Sequence, residues 1–237
     1  MAKRGTITKK ALKEKDIRPI RWRKYPYLFL IVCEDQKTEP YYFETFIDKF
    51  PEETVFLRTV GTGRSSKGVV EQAVKERDRL FFEANKDVDE VWAVFDKDDA
   101  EKSPGNIARF SEAFKIAYNE EISVAYSNEV FELWLLLHFI ELKSDNLIPR
   151  SDIYASLEAT IRTLPSYSNF VYEHGKIDVI DVINENGDIQ KAIERAVKLL
   201  DEHTARGNQP IDANPSTTVH ILVRRLRELI DWYSYLP

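Results

Sequence analysis

The chain has 237 residues, with 34 Lys and Arg against 40 Asp and Glu for a net charge of -6, and is 43% hydrophobic and 12% aromatic. It is too apolar for a disordered chain and long enough for one large domain, or for a domain with a substantial appendage. Cys33 is the only cysteine and there are four histidines, which excludes an intrachain disulfide and a thiolate zinc cluster and turns attention to hard, oxygen-ligated cations. No apolar run approaches the roughly 20 residues that span a bilayer, and the basic N-terminus is not followed by an apolar signal core. The expectation is a soluble, cytoplasmic protein without a membrane partner.

Residues 1–24 form a basic arm: ten cations, including Arg21, Arg23 and Lys24, and two acids give it +8 and leave -14 on the remainder. Such an arm grips a phosphate backbone, docks on an acidic partner, or is a solvated tail.

The apolar run Tyr27 to Cys33 reads as a buried strand. Helical spacing follows from Thr38 to Phe50, with Pro40 suited to the first turn. A second strand is expected over Thr54 to Val60, the loop Gly61 to Gly68 next, then a helix from Val69 to Ala84. Val91 to Phe95 reads as a third strand, Asn106 to Asn119 as a helix, Ile122 to Tyr126 as a fourth strand and Phe131 to Phe139 as an apolar helix. Alternating strands and helices predict an α/β fold with a mostly parallel sheet flanked by helices over 25–142. Residues 143–237 read as a helical C-terminal appendage, with helices over Ser151 to Leu164, Gly187 to Ala205 and Ser216 to Tyr233. Ser151, Asp188 and Ser216 are its candidate N-caps, and Glu194 with Lys198 is a favourable i,i+4 pair.

Acids stand where buried strands stop. Glu34 follows the first strand, and Asp96 takes the same place after the third, with Asp98 two residues on. Open parallel sheets bind ligands at this edge. Mg²⁺ or Mn²⁺ takes one or two protein carboxylates and completes its shell with water and phosphate oxygens, so Glu34, Asp96 and Asp98 suit phosphoryl-transfer chemistry. A haloacid-dehalogenase phosphatase carries Asp-x-Asp after its first strand with Thr or Val two residues later; here Ala100 occupies that later position.

Glu129 and Glu132 share a helix face and either extend the metal or water shell or sit as first-turn acids favoured by the helix dipole. His138 reads as a hydrogen-bonded core histidine. Arg64 and Lys67, in the glycine-containing loop before a helix, suit a nucleic-acid backbone, the alternative being a flexible polar loop; the order Lys67-Gly68 is not the P-loop order, which argues against nucleotide hydrolysis. Lys37, close to Glu34, either neutralises charge developing on a phosphate or caps solvent-side charge.

A glutamate after the first strand and Asp-x-Asp after the third resemble the Toprim domain of topoisomerases, primases and OLD-type nucleases. Four segments together are similar to the RloB family, also called AbiLii: Cys-Glu-Asp-Gln-Lys-Thr-Glu-Pro-x-Tyr-Phe at 33–43, Phe-Asp-Lys-Asp-Asp at 95–99, Ser-Asn-x-x-Phe-Glu-Leu-Trp continuing through leucines to His138 at 127–138, and Asn-Pro-Ser-Thr-Thr-Val at 214–219. The resemblance implies a Toprim-like nuclease of bacterial anti-phage defence, often encoded beside an AAA-type ATPase partner. It implies Glu34 as general acid or base, Asp96 and Asp98 as the metal pair, and a supporting part for Glu132. One departure is Asp35, where Toprim glutamates are commonly followed by glycine; it either adds a carboxylate or alters the turn.

The leading expectation is therefore a Mg²⁺- or Mn²⁺-dependent nuclease acting on RNA or DNA, and the alternative is a non-catalytic module that binds nucleic acid or an ATPase. A homo-oligomer is compatible with either.

Overall fold

The computed structural model describes residues 24–98 and 103–235. Residues 1–23 of the proposed arm, Arg21 and Arg23 among them, lie outside the described residues, as does Asp99. Five strands are found, β1 (Tyr27–Cys33), β2 (Val55–Gly61), β3 (Glu90–Asp96), β4 (Ser123–Asn128) and β5 (Ser216–Thr217), in the order β2-β1-β3-β4-β5. The first four are parallel and β5 is antiparallel to β4. Among the described residues eight α-helices accompany them: α1 (Thr38–Glu44), α2 (Ser66–Ala84), α3 (Pro104–Asn119), α4 (Glu132–Leu137), α5 (Arg150–Arg162), α6 (Asp178–Asn186), α7 (Ile189–Ala205) and α8 (Val219–Ser234).

The two-residue period of a strand explains how one apolar run serves both faces of the sheet. Leu28, Leu30 and Val32 of β1 join Val91, Ala93 and Phe95 of β3 and the apolar side of α2 and α3. Phe29, Ile31 and Cys33 point the other way, into a larger core with Trp92, Val94, Tyr42, Trp134 and residues of α5 through α8. The region beyond Leu142, expected as an appendage, thus completes one face of the sheet and supplies its fifth strand. Strand β5 has two residues, too few for a periodic signal, and α6 was not anticipated.

Caps and pairs follow tertiary context as much as local pattern. Asp188 caps α7 as expected, accepting from Lys191 N at 3.0 Å. Ser151 lies inside α5, after Pro149, and Ser216 lies in β5, so neither is a cap. Lys198 pairs with Glu141 at 2.5 Å, and Glu194 accepts from Gln190 instead. His138 is a core residue whose Nδ1 lies 3.0 Å from Trp134 O, and burial pulls its pKa down to about 4, leaving it neutral. No helix of the described residues is long and apolar enough to cross a membrane.

Candidate functional site

From β1 the chain goes to one neighbour, β2, and the next two strands, β3 and β4, are added on the other side. The carboxyl ends of β1 and β3 are therefore the topological switch point, where such sheets open a crevice. Glu34 and Asp96 stand there. Glu34 N donates to Val94 O at 2.9 Å, continuing the ladder by one residue, and Asp96 N donates to Glu34 Oε2 at 3.1 Å.

The turn after β1 is locked from two sides. Asp35 accepts from Gln36 N and Thr38 N, both at 2.6 Å, and so closes the first turn of α1. Burial raises the Asp35 carboxyl, but these N–H groups outweigh it and hold it below the usual range, ionised. The residue in place of the usual glycine is thus a helix-terminal acceptor. The loop after β2 closes the other side through Thr62 N to Cys33 O and Gly63 N to Glu34 O at 3.0 and 2.7 Å. A Cβ on Gly61 would come within 2.6 Å of Asp35 O and Gln36 Cα, so glycine is needed for this close approach. The start of the loop in which Arg64 and Lys67 lie is thus a clasp on the Glu34 turn.

Asp96 is held through Oδ2, which accepts from Phe131 N at 2.9 Å; its Oδ1 is buried with no partner. Asp98 takes a left-handed conformation (φ +51°), the tight turn that lets both acids of Asp-x-Asp face one cleft. Asp98 Oδ1 accepts from Arg150 at 3.2 Å. The cleft, of about 740 Å³, is lined by Glu34, Asp96, Asp98, Lys37, Arg64 and, from the C-terminal region, Arg150, Tyr154 and His174.

Glu39, which sequence reasoning did not single out, is 1% exposed on the floor, accepting from Asp35 N at 3.1 Å. Glu132 is 2% exposed; the Tyr172 hydroxyl donates to it, and His174 Nδ1 lies 3.7 Å from its Oε1. Glu129 is tied off elsewhere: Lys97 Nζ and Asn214 Nδ2 each reach its Oε1 at 2.9 Å. The Asn-Pro-Ser-Thr-Thr segment docks this loop, pairing Ser216 and Thr217 with Asn128 and Ser127. The other named cations scatter. Lys67 pairs with Glu112 and Glu71, and Lys24, before β1 at the opposite end of the sheet, pairs with Glu53.

A family model described as RloB-like protein matches residues 29–226. The chain belongs to the RloB-like family. No curated protein and no solved structure matches it.

Acidic charge is crowded into this RloB-like cleft. Burial raises the Glu34 carboxyl to about 8, against the Asp96 N–H that lowers it and with the charges of Asp98 and Asp35 adding to the rise. Asp96 is pushed well up by burial and then by Glu39, Asp98, Glu132 and Glu34; Glu39 is pushed up by burial and by Glu34. Buried carboxylates crowded in this way seek a proton or a cation. No three of the His, Cys, Asp or Glu side chains among the described residues are gathered as a ready ligand cluster. The orphaned Asp96 Oδ1 and the all-oxygen donor set nevertheless fit a hard divalent ion that takes one or two protein carboxylates and keeps waters.

Proposed function

We propose that this RloB-like chain is a divalent-metal-dependent nuclease of the Toprim type, cutting phosphodiester bonds in RNA or DNA as the effector of an anti-phage system. The observation that carries the reading is the buried, partnerless Asp96 Oδ1 beside Glu34 at the switch point. Their order, glutamate after β1 and Asp-x-Asp after β3, supports the Toprim assignment. Defence and an AAA-type ATPase partner rest on the resemblance to RloB.

In this reading Asp96 and Glu34 hold Mg²⁺ or Mn²⁺, with Asp98 at the mouth. The ion, when bound, supplies Lewis-acid stabilisation of charge on the phosphate oxygens. The protein's own groups do the rest. Glu34 Oε2 is fixed by the Asp96 N–H, which sets the direction of the carboxyl and leaves Oε1 to face the ion or to take or give a proton. Lys37 and Arg64 line the same cleft and offset phosphate charge. Asp35 and the Gly61 clasp keep the Glu34 turn in place. Glu129 serves the fold of the Lys97 loop rather than the ion.

The test is incubation of the full chain with RNA and DNA in Mg²⁺, Mn²⁺ and excess chelator, with products resolved by length. Metal-dependent new ends are expected. Metal-dependent stabilisation without new ends, alone or with its ATPase partner, would favour a binding module instead.

A further inference from the structure

The cleft does not end at the carboxylates. Glu34, Ser65, Asp96 and Asp98 also line a small cavity of about 100 Å³ that reaches Asn106 and Arg109. On the other side Gln36, Lys37 and Gly175 are shared with a hollow of about 480 Å³ bounded by Tyr41 and Lys176. The three cavities adjoin through these shared walls, with Arg109 lining the small one, Lys176 lining the outer hollow and the acids between, and we read them as one track.

One wall of the track is aromatic. Tyr154, from α5, stacks on Tyr172 with ring centroids 5.1 Å apart and planes 27° from parallel, and the His174 ring lies 6.0 Å from Tyr154. Tyr172 is anchored by its hydroxyl on the buried Glu132, which holds the stack in place. Tyr154 and His174 line the same cleft as Glu34, Asp96 and Asp98, which sets this wall beside the acids.

A regular duplex keeps its bases stacked on one another and offers no face to such a wall, whereas an unpaired base has a π-face free. The floor acids are buried, so a phosphate reaches Asp96 only if its strand enters the cleft. We infer that this track takes a single strand of nucleic acid, with an unpaired base resting on the Tyr154 wall next to the scissile phosphate. This rests on the nuclease reading for the identity of the polymer, and substrates are then unpaired loops, ends or single strands rather than intact duplex.

The experiment is fluorescence polarisation with the full chain in Ca²⁺, using labelled ribo- and deoxyribo-oligonucleotides of about twelve residues and the corresponding duplexes, a length within the span of single-strand sites. Both single strands should bind at least about tenfold tighter than their duplexes, and Tyr154→Ala should weaken single-strand binding by about 5- to 150-fold. Tyr154→Trp should restore it, and its added indole emission should be quenched by the oligonucleotide, a readout that does not depend on a destabilising truncation. Equal or tighter duplex binding, or single-strand binding indifferent to Tyr154 with an unquenched indole, would overturn the inference. Tyr154-dependent single-strand binding without Mg²⁺-dependent cleavage would uphold it while removing the nuclease reading. Metal-dependent cutting of duplex without single-strand preference would do the reverse.

Discussion

The main-chain N–H of Asp96 donates to Glu34 Oε2 across 3.1 Å, joining two acids 62 residues apart at the ends of adjacent strands. A single hydrogen bond of this kind favours the charged carboxylate, but burial opposes it and, with Asp98 and Asp35 nearby, prevails. The site is therefore built to hold charge that the fold alone does not neutralise.

The consequence for stability has a definite sign. In the metal-free protein burial pushes the Glu34 carboxyl up to about 8, from its ordinary 4.5. Between those limits the unfolded chain binds fewer protons at this site, so the contribution of Glu34 to stability is fully present below pH 4.5 and is lost as pH rises through 8. Glu39 and Asp96 shift the same way. Glu34→Gln should reduce the fall, raising the Tm of the metal-free chain at pH 8 with little change at pH 4.5. An unchanged pH slope in calorimetry would count against a carboxyl buried in this way.

Lys97 and Glu129 form a buried ion pair whose side chains are 7% and 6% exposed. Removing one partner of such a pair costs about 3–5 kcal/mol. Lys97→Met should lose stability on that scale in urea unfolding. Glu129→Gln should be destabilised while its Mg²⁺ affinity, followed by calorimetry, stays within about threefold of wild type; a tenfold loss of affinity at intact stability would make Glu129 a ligand.

Gly61→Ala places a methyl within 2.6 Å of the Asp35 carbonyl and the Gln36 backbone. Backbone must move, and the turn moved is the one that carries Glu34. Stability should fall by about 1–3 kcal/mol, and cleavage should fall at least about tenfold because a small misplacement of a reacting group is costly. Wild-type cleavage in this variant would show that the clasp does not position Glu34.

Much of this architecture is legible in the sequence, for a physical reason. Parallel strands buried on both faces leave unbroken apolar runs, and an acid directly after such a run, as at Glu34 and Asp96, has nowhere to go but the sheet edge. Glu39 was hidden because it sits in a polar stretch, Glu34 to Glu39, where it looks like any acid in a first helical turn. Its burial comes from partners distant in sequence. Tyr154, Tyr172 and His174 were hidden likewise, since nothing local distinguishes an aromatic residue that walls a cleft. Lys198 chose Glu141 over Glu194 through tertiary approach alone.

The C-terminal region offers a plain test of its integration. Residues 207–235 supply β5 and α8, whose Val219, Leu222, Val223, Leu226 and Leu229 fill the larger core. Truncation after Arg206 should expose that face and the β4 edge, giving aggregation or loss of cooperative unfolding. A soluble truncated chain with a wild-type unfolding midpoint would restore the appendage view.

The central claim is a metal-dependent phosphodiesterase centred on Glu34 and Asp96, and the most direct measurement is cleavage of labelled single-stranded RNA and DNA by wild type, Glu34→Gln and Asp96→Asn at equal folded concentration in Mg²⁺ or Mn²⁺. Wild type should cut at least one polymer, with activity lost in chelator and at least about 10³-fold lower in each variant. Cleavage that persists in both variants, or in chelator, would contradict the account.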